Sequence, residues 1–509
     1  MKRKIFIAAL ASLLLVFNWG CEDYLDVNRD PNVLGDIPDA KVLLPSAEVG
    51  LANQLMGWDF GFGGAYWVQY WTQSYTASQF KTLCEYQDVS FGTAYGELTA
   101  GVLADLNRIK KLTAEDPDSK GLYFVAEALS IYTWQIITDV WGNVPYFEAL
   151  RGDDEISSPK FDTGEAIYAD LENRIDALLA MDMTGASLEG KYDFIYAGNL
   201  TDWTRFANAL KLKLMIRQSE TAGYNNAEVL AFIQSANLLV KSAKIDGDIF
   251  DDTQEGKRHP MREFQEGGAN YLTTNVIACR SFTEYLTVNS DPRIASLFGT
   301  ITGGVYQGAF FGDFDSKDDA DLDNISDDKE SYSKAVFSAN QDIMIMSNWE
   351  VDFYIAEVYA RASDPLAKTY YDRAVTASLA QHGITNTAII GAGGSVEWQN
   401  LSIEQNIEQI ALQKWVAYAN YQHIESLLER NRTKYPAVDP VDVKLNRNAV
   451  HTAFPVGNLT ISVNGRAKLN GNLPASPIYP DALINRNVNA PGQKANVGEK
   501  VWWNKKAGL

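Results

Sequence analysis

Apolar side chains recur at helical spacing along most of this chain, and that period constrains the fold more than any other feature. Over residues 97–112, Leu98, Val102, Leu106 and Ile109 fall on one helical face. Residues 121–141 continue with Leu122, Val125, Leu129, Ile136 and Val140, then stop at Gly142, Asn143 and Pro145. A third helix is expected to open at Asp162, with Glu165 three residues on in a capping-box pattern, and to bury Ile167, Leu171, Ile175 and Leu178. Residues 201–219, 348–362, 365–381 and 403–430 read the same way. The expected fold is mainly α, built from antiparallel helix pairs. With 509 residues, 46% of them hydrophobic, the chain has ample material for a large core and is too apolar to be disordered.

One pair carries a more specific pattern. Ala367, Tyr371 and Ala374 have the small–aromatic–small spacing of the second helix of a tetratricopeptide repeat, and Ala356 and Tyr359 supply first-helix positions one residue out of register. No regular 34-residue period appears elsewhere, so such repeats would be degenerate. Long Gly/Asp/Asn-rich inserts occupy 183–200, 245–275, 299–342 and 431–509, the last ending in VWWNKKAGL, which reads as exposed. Loops of this length in a compact domain are usually functional or locally structured. No stretch has the composition of a flexible linker, so residues 21–509 are expected to form a single domain.

The first twenty residues read as a targeting segment. Lys2, Arg3 and Lys4 precede an apolar run over 5–17 interrupted only by Ser12. Thirteen helical residues rise about 20 Å, short of the roughly 30 Å hydrocarbon core of a bilayer. That length suits a secretory signal rather than a span. Gly20 directly before Cys21 resembles a bacterial lipoprotein cleavage site, at which the cysteine would be lipidated with palmitate-type chains; Asn18 and Trp19 depart from the usual residues there. The alternative is an ordinary secretory signal containing a chance cysteine. Glu22, Asp23 and Asp26 resemble the acidic surface-export signal of certain Gram-negative lipoproteins. No other apolar run is long enough to cross a membrane.

Several segments in order resemble the SusD/RagB family of outer-membrane nutrient-binding lipoproteins. They are Cys21 followed by EDYLDVNRDPN, the hairpin with DLNRIKKL and AEALSIYTWQIITDVWGNVPY, then FANALKLKLMIR, SNWEVDFYIAEVYARA, EQIALQKWVAYANYQHIESLLERNR and LPASPIYPDALINRN. Gln413 stands where the family commonly has glutamate before Lys414 and Trp415. The resemblance implies tetratricopeptide-like helix pairs supporting a loop-rich ligand face. It also implies a lipid anchor at the cell surface, no catalysis, and delivery of oligosaccharide to a SusC-like TonB-dependent barrel. Peptide is the rival ligand; a secreted glycan-active enzyme and a purely structural lid are the rival roles.

The chemistry legible in the residues themselves is sparse. A formal charge of −21 repels phosphate backbones and argues against nucleic acid as a partner. His259, His382, His423 and His451 form no metal-ligand pairing, no nucleophile elbow or phosphate loop occurs, and GAGGS at 391–395 is too short for a dinucleotide fingerprint. Aromatic residues crowd 58–91. Tyr66, Trp67, Tyr70 and Trp71 have helical spacing and are expected in the core. Trp58, Tyr75 and Tyr86, with Tyr306, Phe310 and Phe311 in a Gly-rich loop, are less periodic and are the candidate ligand contacts. Asp319, Asp321, Asp323, Asp327 and Glu330 match positions 1, 3, 5, 9 and 12 of a Ca²⁺ loop, with Asn324 in place of its turn glycine. The same run also reads as an acidic, solvated loop. Cys84 and Cys279 are either a disulfide or two buried thiols.

Overall fold

The computed structural model describes residues 39–74, 77–266, 272–313, 332–446, 449–450 and 453–508. Cys21, Tyr75 and the 319–330 calcium-loop candidate lie outside the described residues. Lys41–Leu509 form one compact unit.

Helices dominate that unit, and the apolar pattern explains their placement. α1 (Leu43–Leu55) packs against the helical stretch that begins as a π-turn at Glu97–Leu103 and continues as α3 (Ala104–Thr113), after the short α2 (Gly63–Trp67). α4 (Lys120–Trp141) is apolar on nearly every side and is accordingly buried along almost its whole length. It is flanked by α3, α5 (Gly164–Leu179) and α6 (Leu200–Arg217). α7 (Asn226–Ser235) leads into the inserts, and α8 (Asn348–Arg361), α9 (Leu366–Gln381), α10 (Ile403–Tyr418) and α11 (His423–Thr433) complete the frame. Strands are minor: four two-stranded pairings occur among the described residues, such as Ala243–Ile245 antiparallel to Ile343–Met346.

α8 and α9 form the tetratricopeptide-like pair. Ala356, Tyr359, Ala367, Tyr371 and Ala374 are all buried, and the Tyr371 hydroxyl donates to the Val396 carbonyl at 2.8 Å. Small residues let the helices approach while the aromatic ring fills the gap between them.

Two boundaries and one exposure differ from the sequence expectation. Thr163, not Asp162, caps α5: its hydroxyl accepts from Ala166 N at 3.3 Å, while the Asp162 carboxylate accepts from the backbone of Tyr146 and Phe147. The expected helix over 403–430 is broken at residues 419–422. There Asn420 is left-handed (φ 64°) and its N–H is capped by His423 Nε2 at 2.8 Å. The closing VWW segment is not exposed. Val501 and Trp503 are buried, the Arg217 guanidinium lies 5.3 Å from the Trp503 ring centroid, and Trp502 sits so close over Gly164 that a Cβ there would meet it at 2.0 Å.

Beneath the helices runs a buried ionic network. Arg217 on α6 pairs with Asp139 on α4 (2.8 Å) and with Glu425 and Glu429 on α11. Lys213 reaches Glu350 and Glu425, each at 2.8 Å; Arg432 grips Glu357 (2.6 Å) and Glu429 (2.7 Å); Lys414 reaches Glu429 at 2.6 Å. Burial alone would raise these carboxyls, but Arg432 and its neighbouring cations hold Glu357 and Glu429 below the ordinary range. At Asp139 burial wins over Arg217, and its carboxyl is pushed up to about 6.

Candidate ligand groove

Among the described residues, the aromatic cluster divides into a core layer and one exposed ring. Tyr66, Trp67, Tyr70 and Trp71 are buried, as their spacing predicts. Trp58 opens the π-helical turn Trp58–Phe62 and is 40% exposed. Phe80 backs it at 4.4 Å between centroids, and Phe80 in turn stacks on Phe62 at 4.1 Å and 12°. A rigid aromatic stack thus supports an outward-facing indole.

Trp58 lines a cavity of about 300 Å³ together with Asp59, Gln79, Asp88, Ser90 and Phe91. The Asp59 carboxylate accepts from Ala94 N at 2.9 Å, and burial raises its pKa. The Asp88 carboxylate is paired with Lys468 at 2.8 Å. Phe91, which lines this groove, holds left-handed backbone (φ 50°), uncommon for an aromatic residue and a form of strain that clusters at ligand sites. Phe91 is fixed there by packing over Gly63, where a Cβ would come within 2.3 Å of its ring. Chemically the groove offers a flat indole for the C–H face of a ring, with carboxylate and amide oxygens at its edge for hydroxyl groups.

The other candidates fall elsewhere. Tyr86 is fully buried: its hydroxyl accepts from Ser462 N at 3.1 Å. Phe310 packs with Val443, Val450 and Phe454 in a separate small core, and Phe311 lies between Tyr66 and Tyr86. The rings of these three residues are occupied by protein, so they differ from the expected ligand contacts. Their spacing is irregular because they sit in loops, and the loops themselves are packed. Tyr306 is half-buried and does not line the Trp58 groove. Cys84 and Cys279 are free, buried thiols, and burial pushes Cys84 up to about 12. Among the described residues no cluster of His, Cys, Asp and Glu could hold a metal ion, and no helix is long and apolar enough to cross a membrane. The sequence reading missed Asp59 and Asp88, whose role depends on a groove that only folding creates.

Residues 31–455 match the family SusD-like_2, described as starch-binding and associating with outer membrane, and the chain belongs to that family. No curated protein sequence matches it. Solved structures share the fold. A SusD homolog from Bacteroides uniformis is 20% identical with a TM-score of 0.69, and one from Bacteroides fragilis 15% identical with 0.70. A chitin-binding SusD homolog from Flavobacterium johnsoniae is 19% identical with 0.68. Each alignment covers 91% of this chain and 99% of the other. At these identities the likeness establishes the mainly helical fold.

Proposed function

We propose that this chain is a cell-surface lipoprotein, anchored through Cys21, that binds oligosaccharide in the Trp58 groove and hands it to a SusC-like TonB-dependent barrel without cleaving it. The observation that carries the reading is the exposed indole of Trp58, held rigid by Phe80 and edged by Asp59 and Asp88, in a chain of this family. The chitin-binding neighbour supports glycan over peptide as the ligand. Tyr306 remains a further ligand contact in this proposal, on the loop at 299–313. Residues 1–20 act as the signal peptide and the remainder as one binding domain. A bound Ca²⁺ in the 319–330 loop would serve structure rather than capture.

An anchor without a pore makes capture useful only beside a channel, and confinement to the membrane surface raises the effective concentration near one. The test is purification of the tagged protein from detergent-extracted cells grown on the inducing nutrient, with and without Cys21→Ala. The proposal expects a co-purifying barrel, and palmitate labelling that Cys21→Ala abolishes. Recovery of this protein alone and unlabelled would overturn it. Shorter products after incubation with oligosaccharide, lost in Asp59→Asn, would establish the enzyme instead.

A further inference from the structure

A second cavity, of about 340 Å³, adjoins the first through the ion pair between Asp88, which lines the Trp58 groove, and Lys468, which lines the second. Its charged lining is Arg430, Lys434, Lys468 and Lys500, accompanied by Asn470 and Asn472, and no Asp or Glu lines it among the described residues. In a chain with 65 acidic against 44 basic residues, a cavity with four cations and no lining carboxylate runs against the composition. Two of the cations are not ordinary surface groups. Arg430, on α11, is 3% exposed, and Lys434, just past the end of α11, is 7% exposed in a left-handed backbone conformation (φ 65°). The Lys434 ammonium donates to Asn504 Oδ1 at 2.7 Å, which uses one of its three N–H groups. The buried Nδ2 of Asn504 has no hydrogen-bond partner among the described residues.

Lys434 is held by a hydrogen bond to the neutral amide of Asn504, and a buried ammonium gains stability from an opposite charge brought beside it. From this lining we propose that the second cavity binds a carboxylate or sulfate group, and that the ligand of the adjoining groove is an acidic oligosaccharide. The proposal deepens the glycan-binding reading and rests on it. Burial, followed by the charges of Arg430, Lys500 and Lys506, lowers Lys434 to about 7. Arg430 is lowered to about 10 by burial, which outweighs the Tyr86 phenol beside it. An anion in the cavity favours the protonated Lys434, so binding and proton uptake are linked. Affinity for the anion therefore rises as pH falls through 7 and weakens above about 8.

The test uses inorganic sulfate alone, then a glucuronate-containing oligosaccharide and its neutral glucose counterpart, titrated calorimetrically into the full chain at pH 6.5 and 8.5. The proposal expects saturable sulfate binding that is stronger at pH 6.5. Lys434→Met and the exposed-site variant Lys500→Ala should each weaken it by about tenfold, with circular dichroism confirming the fold. The acidic oligosaccharide should bind at least about tenfold tighter than the neutral one. Trp58→Ala should leave sulfate binding unchanged while reducing oligosaccharide binding, so failure of the groove and failure of the cavity register separately. Absence of saturable sulfate binding, or sulfate affinity unmoved in the Lys434→Met/Lys500→Ala double variant, would overturn the proposal.

Discussion

Acidification should weaken this fold through His423, by an amount that can be worked from its surroundings. The imidazole is fully buried at the start of α11. Its Nδ1 lies 2.7 Å from the Gly61 carbonyl and its Nε2 accepts from Asn420 N at 2.8 Å. Nδ1 must therefore carry the proton and Nε2 must stay bare, because protonating Nε2 would set one N–H against another. Burial lowers the group from 6.5 to about 3, with the Gly61 carbonyl opposing only in part. A depressed histidine contributes stability that is present above pH 6.5 and is lost as pH falls toward 3. Between pH 7.5 and 4.5 the unfolded chain takes up a proton that the folded chain refuses, over about two pH units at 1.36 kcal/mol each. The expected loss is about 3 kcal/mol. His259 and His382, each lowered to about 4 by burial, add losses in the same direction. Asp139 acts oppositely: its carboxyl, raised to about 6, favours the fold below the ordinary carboxylate range and loses that contribution as pH rises through 6. Urea denaturation of the wild type and of His423→Gln across this range isolates the one histidine, because the other groups are common to both. The wild type should lose about 3 kcal/mol more than the variant, whatever the variant's starting stability. Parallel losses in the two proteins would refute the argument.

Two further perturbations probe the same helical frame. Gly64 on α2 meets the start of α11 so closely that a Cβ would stand 2.5 Å from the His423 carbonyl carbon and 2.7 Å from Ile424 N; backbone cannot yield there, and Gly64→Ala should cost about 3 kcal/mol in urea denaturation. A cost below about 0.5 kcal/mol would show that α2 and α11 are not in this contact. Arg432→Met should cost about 3–5 kcal/mol, because Glu357 and Glu429 would stay buried with less compensation, and Glu357→Gln in the same chain should recover part of that loss. Additive losses in the double variant would mean that the pair is not coupled.

The frame was largely legible because helical periodicity is a local signal, and so was the α8–α9 pair, whose Ala and Tyr positions follow from close helix approach. The break at residues 419–422 was not, because it depends on a histidine side chain capping a backbone amide three residues earlier. Burial of the VWW segment was hidden for a different reason: its partners Gly142, Gly164 and Arg217 lie more than 280 residues away in sequence. Trp58 could be singled out from aperiodic spacing, yet the same criterion also selected Tyr86, Phe310 and Phe311, which loop packing buries. Aperiodicity separates a residue from a helix face, and it does not separate solvent from a packed loop. The basic cavity left no trace in the sequence, since Arg430, Lys468 and Lys500 come from three different segments.

The central claim is capture of oligosaccharide on the Trp58 indole, and calorimetric titration of glucuronate-containing, chitin-derived and starch-derived oligosaccharides, with peptides of similar size as controls, into wild-type and Trp58→Ala protein tests it most directly. The account expects one of the oligosaccharides to bind the wild type, and Trp58→Ala, whose ring is 40% exposed, to keep its fold and lose at least about tenfold in affinity, or 1.4 kcal/mol. Equal affinity in the two proteins, or binding of peptides alone, would contradict it.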